Sequence, residues 1–117
     1  MKVLIAGAGS VGMAIAQDLS GKGYDITVME QDLAVVDKLK EIVPFSLVQG
    51  DACEVSSLQD AGVGQVEVVV AATGDDEDNL VISLLSKQEF AVPRVVARVN
   101  NSKNSWLFNQ SWGVDVS

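Results

Sequence analysis

Three glycines carry the chemistry that can be read first. Residues 2 to 12 run Lys-Val-Leu-Ile-Ala-Gly-Ala-Gly-Ser-Val-Gly, which places Gly7, Gly9 and Gly12 in a G-x-G-x-x-G spacing behind a short apolar run. In that setting a strand turns tightly into a helix whose first amides face an anion. Gly7 lets the chain reverse, Gly9 brings backbone to a phosphate with no Cβ between them, and Gly12 lets the helix pack closely. Ala8, Ser10 and Val11 complete the loop, and the amides of Ser10 and Val11 lie at the positive end of the helix. Capping the helix is the other duty open to Ser10. Glycine-rich turns are common, so the context matters: a β-type run before, a helical run after, and an acid ending the next strand.

That acid is Glu30, 18 residues beyond Gly12. A carboxylate there can accept both ribose hydroxyls of an adenosine and repel a 2′-phosphate, which favours NAD or an ATP-like ligand over NADP. An ordinary solvated acid is the plainer reading. Asp32 is placed to cap the following helix. Gly50-Asp51-Ala52-Cys53 follows the third strand, where Asp51 can accept from an adenine amino group or serve only its own turn. Ala72, Thr73 and Gly74 are small enough for backbone to run close to a ligand. The acids Asp75 to Asp78 then complement a helix N-terminus, and helical spacing scatters them too widely to favour a metal. Arg98, near the end of the fifth strand, offers either a fork for phosphate or a partner for a nearby acid. Trp106, Phe108 and Trp112 are expected to pack.

These positions require strand ends to meet at one edge. The pattern predicts strands at 3–6, 25–30, 46–49, 66–72 and 94–99, with the start of a sixth at 114–117. Helices are expected at 11–20, 33–42, 54–61, 75–90 and 102–110, with Leu33, Val36 and Leu39 of the second facing inward. Gly21 and Gly23 follow the first helix, and Pro44 breaks the second. The fourth strand is almost continuously apolar, as in a strand covered on both faces. Alternating strands and helices imply a parallel sheet with right-handed crossovers. The fold class is therefore α/β, and the glycine motif at the first turn points to a doubly wound, Rossmann-like sheet of order 3-2-1-4-5-6, the sixth strand incomplete. Its ligand crevice lies where the order reverses between strands one and four.

Length and composition narrow the choice. One domain, residues 1–117, accommodates the whole pattern, and 48% hydrophobic residues are enough for a modest core. A net charge of −8 offers no basic stripe for nucleic acid or anionic lipid. No apolar run approaches the ~20 residues of a membrane span. The chain has one cysteine, which suits a reducing compartment, and no histidine, which removes the commonest general base. No catalytic residue and no metal ligand are assigned.

Together these turns resemble the N-terminal domain of the peripheral subunits of bacterial Trk/Ktr potassium-uptake systems, the RCK or KTN (TrkA-N type) domain. The likeness spans the whole chain. It rests on the glycine motif, Glu30-x-Asp32, Gly50-Asp51-Ala52, Ala72-Thr73-Gly74-Asp75-Asp76-Glu77-Asp78-Asn79, Arg94-Val-Val-Ala-Arg98-Val-Asn100-Asn101 and Trp112-Gly113-Val114-Asp115. It implies a cytoplasmic regulatory subunit that binds NAD(H) or ATP/ADP and gates a membrane potassium transporter from the inner face of the plasma membrane. It implies homo-oligomers, dimers or higher rings, and commonly a second ligand-binding domain. The chain therefore resembles an isolated N-terminal piece of a longer protein. Cys53 stands where many relatives carry threonine. The alternatives are the cofactor half of an NAD-dependent dehydrogenase and, less compatible with a pyrophosphate-binding helix start, an S-adenosylmethionine fold.

Overall fold

Five parallel strands form the sheet, in the order β3-β2-β1-β4-β5: β1 (Lys2–Ala6), β2 (Asp25–Glu30), β3 (Ser46–Gln49), β4 (Val68–Ala71) and β5 (Arg94–Ala97). The computed structural model describes all of residues 1–117. β1 lies at the centre, with Ile5 opposite Val28 on one side and Val70 on the other. The sixth strand is reduced to a single parallel bridge from Val116 to Val96, beyond β5, where the expected order puts it.

Side-chain alternation divides the core between the two faces of the sheet. Leu4, Ala6, Val69 and Ala71 face one cluster with Leu58, Leu80 and Ile82. Val3, Ile5, Val70 and Ala72 face the other with Ala16, Ile26 and Val28. Leu4 and Ile5 are both fully buried, each contributing roughly 1.5–3 kcal/mol of transfer free energy. The apolar fourth strand is thus covered twice, as its composition requires.

The helices are α1 (Ser10–Leu19), α2 (Leu33–Leu39), α3 (Val55–Asp60) and α4 (Asp76–Gln88). Asp32 caps α2 by accepting from the Ala34 amide at 3.0 Å. Asp75 caps α4, accepting from Asp78 N at 3.1 Å, and three acids fill its first turn, where they meet the positive helix end. Four expectations need correction. α2 stops at Leu39 rather than Ile42, and Leu33 is 57% exposed because Val35, Val36 and Leu39 supply the inward stripe. Residues 102–110 do not form an α-helix but 3-10 turns at Ser102–Leu107 and Gln110–Trp112, capped by Asn101 and Asn109. Asparagine caps so closely spaced favour short turns over a continuous ladder. Phe108 packs in the core as expected and Trp112 packs against it, but Trp106 is 74% exposed. At the β5 edge, Asp115 accepts from Val95 N (2.8 Å) and pairs with Lys87 (2.7 Å), fastening the C-terminal turn to β5 and α4.

Candidate functional site

All five strands end on one edge, and a cleft of about 440 Å³ opens there, over the point where strand order reverses. One wall is the β1–α1 loop. Gly7 has φ +109°, and an added Cβ would meet Ala72 O at 3.0 Å, so the reversal needs glycine. At Gly12 a Cβ would lie 1.9 Å from Gly7 O, which fixes how tightly α1 seats on its own loop. A Cβ on Gly9 would meet nothing within 4 Å: it would project into open space beside the cleft. Gly9, not Ser10, occupies the N-cap position, and no side chain caps the helix. The first backbone bond of α1 is Met13 N to Gly9 O. The amides of Ser10, Val11 and Gly12 therefore have no helical partner, the condition that suits an anion.

Gly7, Gly9 and Ser10 line the cleft, as do Glu30, Asp51, Ala52, Ala72, Thr73, Gly74 and Arg98. Ala8, Val11 and Gly12 do not line it. Ala8 is buried behind the loop, Val11 packs its side chain on the core, and Gly12 is buried at the loop–helix contact.

Glu30 is built into the loop. Its Oε1 accepts from Ala8 N at 2.9 Å and its Oε2 from Asp32 N at 2.9 Å. Each carboxylate oxygen keeps further acceptor capacity, so the ribose role expected of Glu30 is compatible with these bonds. Asp51 accepts from Cys53 N at 2.9 Å, which realises the turn reading of that residue, while its side chain still lines the cleft. Arg98 makes no ion pair: the ion pairs of the chain join Lys22 to Asp18, Lys40 to Asp37 and Lys87 to Asp115. It is the one cationic side chain in a cleft that also holds Glu30, Asp51 and Asp78.

Thr73 lines the cleft with Ala72 and Gly74 and is also hydrogen-bonded through each of its polar groups. Its N–H and Oγ1 donate to Asn79 Oδ1 (3.0 and 2.7 Å), and its carbonyl accepts from Asn79 Nδ2 (3.1 Å) and Asn100 Nδ2 (3.0 Å). The same Asn79 amide donates to Arg98 O at 3.0 Å, joining the ends of β4 and β5. Asn79 is wholly buried and all of its hydrogen-bonding groups are used.

The acids after β4 do not converge on one point. Asp75 caps α4, Asp76 turns toward Asn100 to Asn104, and Asp78 lines the cleft next to Cys53. No group of three Cys, Asp or Glu side chains is arranged to hold a metal ion. Burial, with the carboxylates of Asp78 and Asp51 adding to it, pushes the Cys53 thiol up to about 12, so it stays protonated and non-nucleophilic at neutral pH. Burial and the charge of Asp75 likewise raise Asp78. The cleft is thus chemically divided: acceptors at Glu30, Asp51 and Asp78 suit the hydroxyl and amino donors of an adenosine, while open amides and Arg98 suit its phosphates.

Sequence reasoning did not find the Asn79 clamp or the lining residues Ala6, Met29, Gln31 and Asp78. A signal for the first was available: Asp76, Asn79, Ser83 and Ser86 recur at helical spacing and are all buried, a polar stripe on the inward face of α4.

A doubly wound parallel sheet with a glycine-loop cleft at its switch point defines the dinucleotide-binding class of folds. The chain belongs to the TrkA-N domain family, whose model matches residues 3–117. The Trk system potassium uptake protein TrkA of Mycobacterium tuberculosis is 52% identical over 117 residues, covering 100% of this chain and 53% of that protein. The chain therefore spans about half the length of that relative. GsuK bound to ADP superimposes with a TM-score of 0.81 at 26% identity, over 98% of this chain and 29% of that one. The GsuK channel bound to NAD gives 0.87 at 19% identity, over 98% and 21%, a likeness of fold.

Proposed function

We propose that this chain is the nucleotide-sensing domain of a potassium-uptake regulator. It binds NAD(H) or ATP/ADP in the cleft and gates a membrane potassium transporter of the Trk/Ktr type. It does so as a homo-oligomer, a dimer or higher ring, in the cytoplasm against the inner face of the plasma membrane. The observation that carries the reading is one cleft that joins unpartnered amides at the start of α1, the acceptor Glu30 and the unpaired Arg98. The potassium-uptake name of the half-identical relative and the ADP of the GsuK structure support it.

Each residue has a role in binding. Gly7 to Gly12 receive the phosphates, with Ala8 and Val11 shaping the loop from behind. Glu30 takes the ribose hydroxyls, Asp51 and Ala52 border the adenine, and Ala72 to Gly74 form the opposite wall beside Arg98. Regulation needs no bond to break. Occupancy of the cleft favours the inter-subunit arrangement with the higher affinity, and the transporter responds to that arrangement. Couplings of this kind are typically about 1–3 kcal/mol per site. The cleft supplies no general base of the usual kind: the chain has no histidine and Cys53 is held protonated.

Potassium flux in cells that lack the regulator tests this reading. The full-length gene should restore nucleotide-sensitive uptake, and the same gene carrying Gly9→Val should not. Unchanged flux with the wild-type gene would favour the dehydrogenase alternative.

A further inference from the structure

Asp76 is 8% exposed and lies outside the cleft lining, yet it makes more side-chain hydrogen bonds than any other acid in the chain. Its Oδ1 accepts from Asn100 N (2.6 Å) and Asn100 Nδ2 (3.2 Å). Its Oδ2 accepts from Asn101 N (2.9 Å) and Asn104 Nδ2 (2.9 Å). All of these bonds leave α4 for the segment that follows β5. Apolar burial does little to hold that segment: Ser102–Leu107 contains no buried residue, and Trp106, next to its end, stands out into solvent. Only Leu107, at its end, packs against the core. Between Val99 and the Leu107–Phe108 pair, which pack on the core, the segment is therefore fastened to α4 chiefly through one carboxylate.

The same network reaches the cleft. Asn100 Nδ2, while bonded to Asp76, also donates to the carbonyl of Thr73, whose residue lines the cleft. Asn79 ties that carbonyl to Arg98 O. A shift of the Thr73–Gly74 turn by a fraction of an ångström must be absorbed at Asn100, because both partners of its side-chain amide would move relative to each other. Buried networks of this kind have discrete arrangements rather than a continuous range.

We propose that Asp76 is a positioning residue that couples the cleft to the Asn100–Leu107 segment, so that nucleotide occupancy and the order of the Trp106 surface change together. The proposal rests on the nucleotide reading above. Burial acts to raise the Asp76 carboxyl, but its amide donors from Asn100, Asn104 and Asn101 hold it at about 2, so the link stays charged throughout the physiological range. Linkage makes the effect reciprocal: weakening the segment must weaken binding, although Asp76 touches nothing in the cleft.

Amide hydrogen exchange of the 117-residue chain, free and saturated with NAD or with ADP, separates the possibilities. The expected result is nucleotide-dependent slowing both at residues 7–12 and at residues 100–107. In Asp76→Ala the slowing persists at 7–12 and is lost at 100–107, and affinity falls at least about 5-fold, the low end of ordinary couplings. Asn104→Ala removes a single part-buried bond, leaves the fold intact and gives a smaller change in the same direction. Slowing at 7–12 with none at 100–107 in the wild type overturns the coupling and leaves the binding reading standing. So does an Asn104→Ala or Asp76→Ala chain whose segment responds as the wild type does. No slowing anywhere overturns both.

Discussion

The two walls of the cleft are built on opposite principles. On the β1–α1 side, backbone donors are left open: no side chain caps α1, and its first three amides lack helical partners. On the β4–α4 side nothing comparable is left open at Thr73, whose N–H, hydroxyl and carbonyl are all bonded to Asn79 and Asn100. One wall is incomplete without an anion, and the other is complete in itself. The contrast fits the proposed function. A nucleotide would complete the first wall, and its contact with the fully bonded second wall would be passed on through that wall.

The contrast can be broken most severely at Gly12. Valine there would place Cβ 1.9 Å from Gly7 O, and neither backbone can yield without lifting α1 from its loop. Gly12→Val should cost about 3 kcal/mol or more in urea unfolding and abolish binding. Breaking the other wall comes next. Asn79→Leu leaves the Thr73 amide, hydroxyl and carbonyl and the Arg98 carbonyl without their buried partner, a loss of about 2–3 kcal/mol.

Acid sharpens the comparison further. The Asp76 carboxyl takes its proton at about 2 in the folded chain and near ~3.9 when unfolded. The unfolded state therefore binds more protons between those values, and the contribution of Asp76, complete above ~4, is lost as pH falls through about 2. Urea midpoints measured from pH 5 to 2 should fall less steeply in Asp76→Asn than in the wild type. The smallest stability effect falls on the open wall itself. A Cβ at Gly9 meets no atom within 4 Å and the backbone there is extended, so Gly9→Val should change stability by about 1 kcal/mol or less. Binding should nevertheless be lost. A Gly9 variant as destabilised as the Gly12 one would show that the loop is only a structural turn.

The parts of this molecule that obey local rules were legible in its sequence. The glycine spacing, the apolar strand run and the capping aspartates each act through near neighbours, and the sheet order was read from the glycine motif at the first turn. The site was legible to the same extent: the glycine loop, Glu30, Asp51 and Arg98 do meet in one cleft because each ends or follows a strand. What escaped depends on distant partners. The bonds of Asp76 span 24 to 28 residues, and no local pattern says which asparagines it will meet. Residues 102–110 escaped for another reason: the competing asparagine caps at Asn101 and Asn109 broke the expected helix into short turns. Trp106 was misplaced with them.

The central claim is that the open wall receives the phosphates of an adenosine whose 2′-hydroxyl is free. Calorimetric titration of the chain with NAD, and then with NADP, tests it most directly. NAD should bind at one site per chain, and NADP at least about 10-fold more weakly, because the proposed ribose contact at Glu30 would set a carboxylate against the 2′-phosphate. Equal or tighter binding of NADP, or the absence of binding by either, would contradict the account.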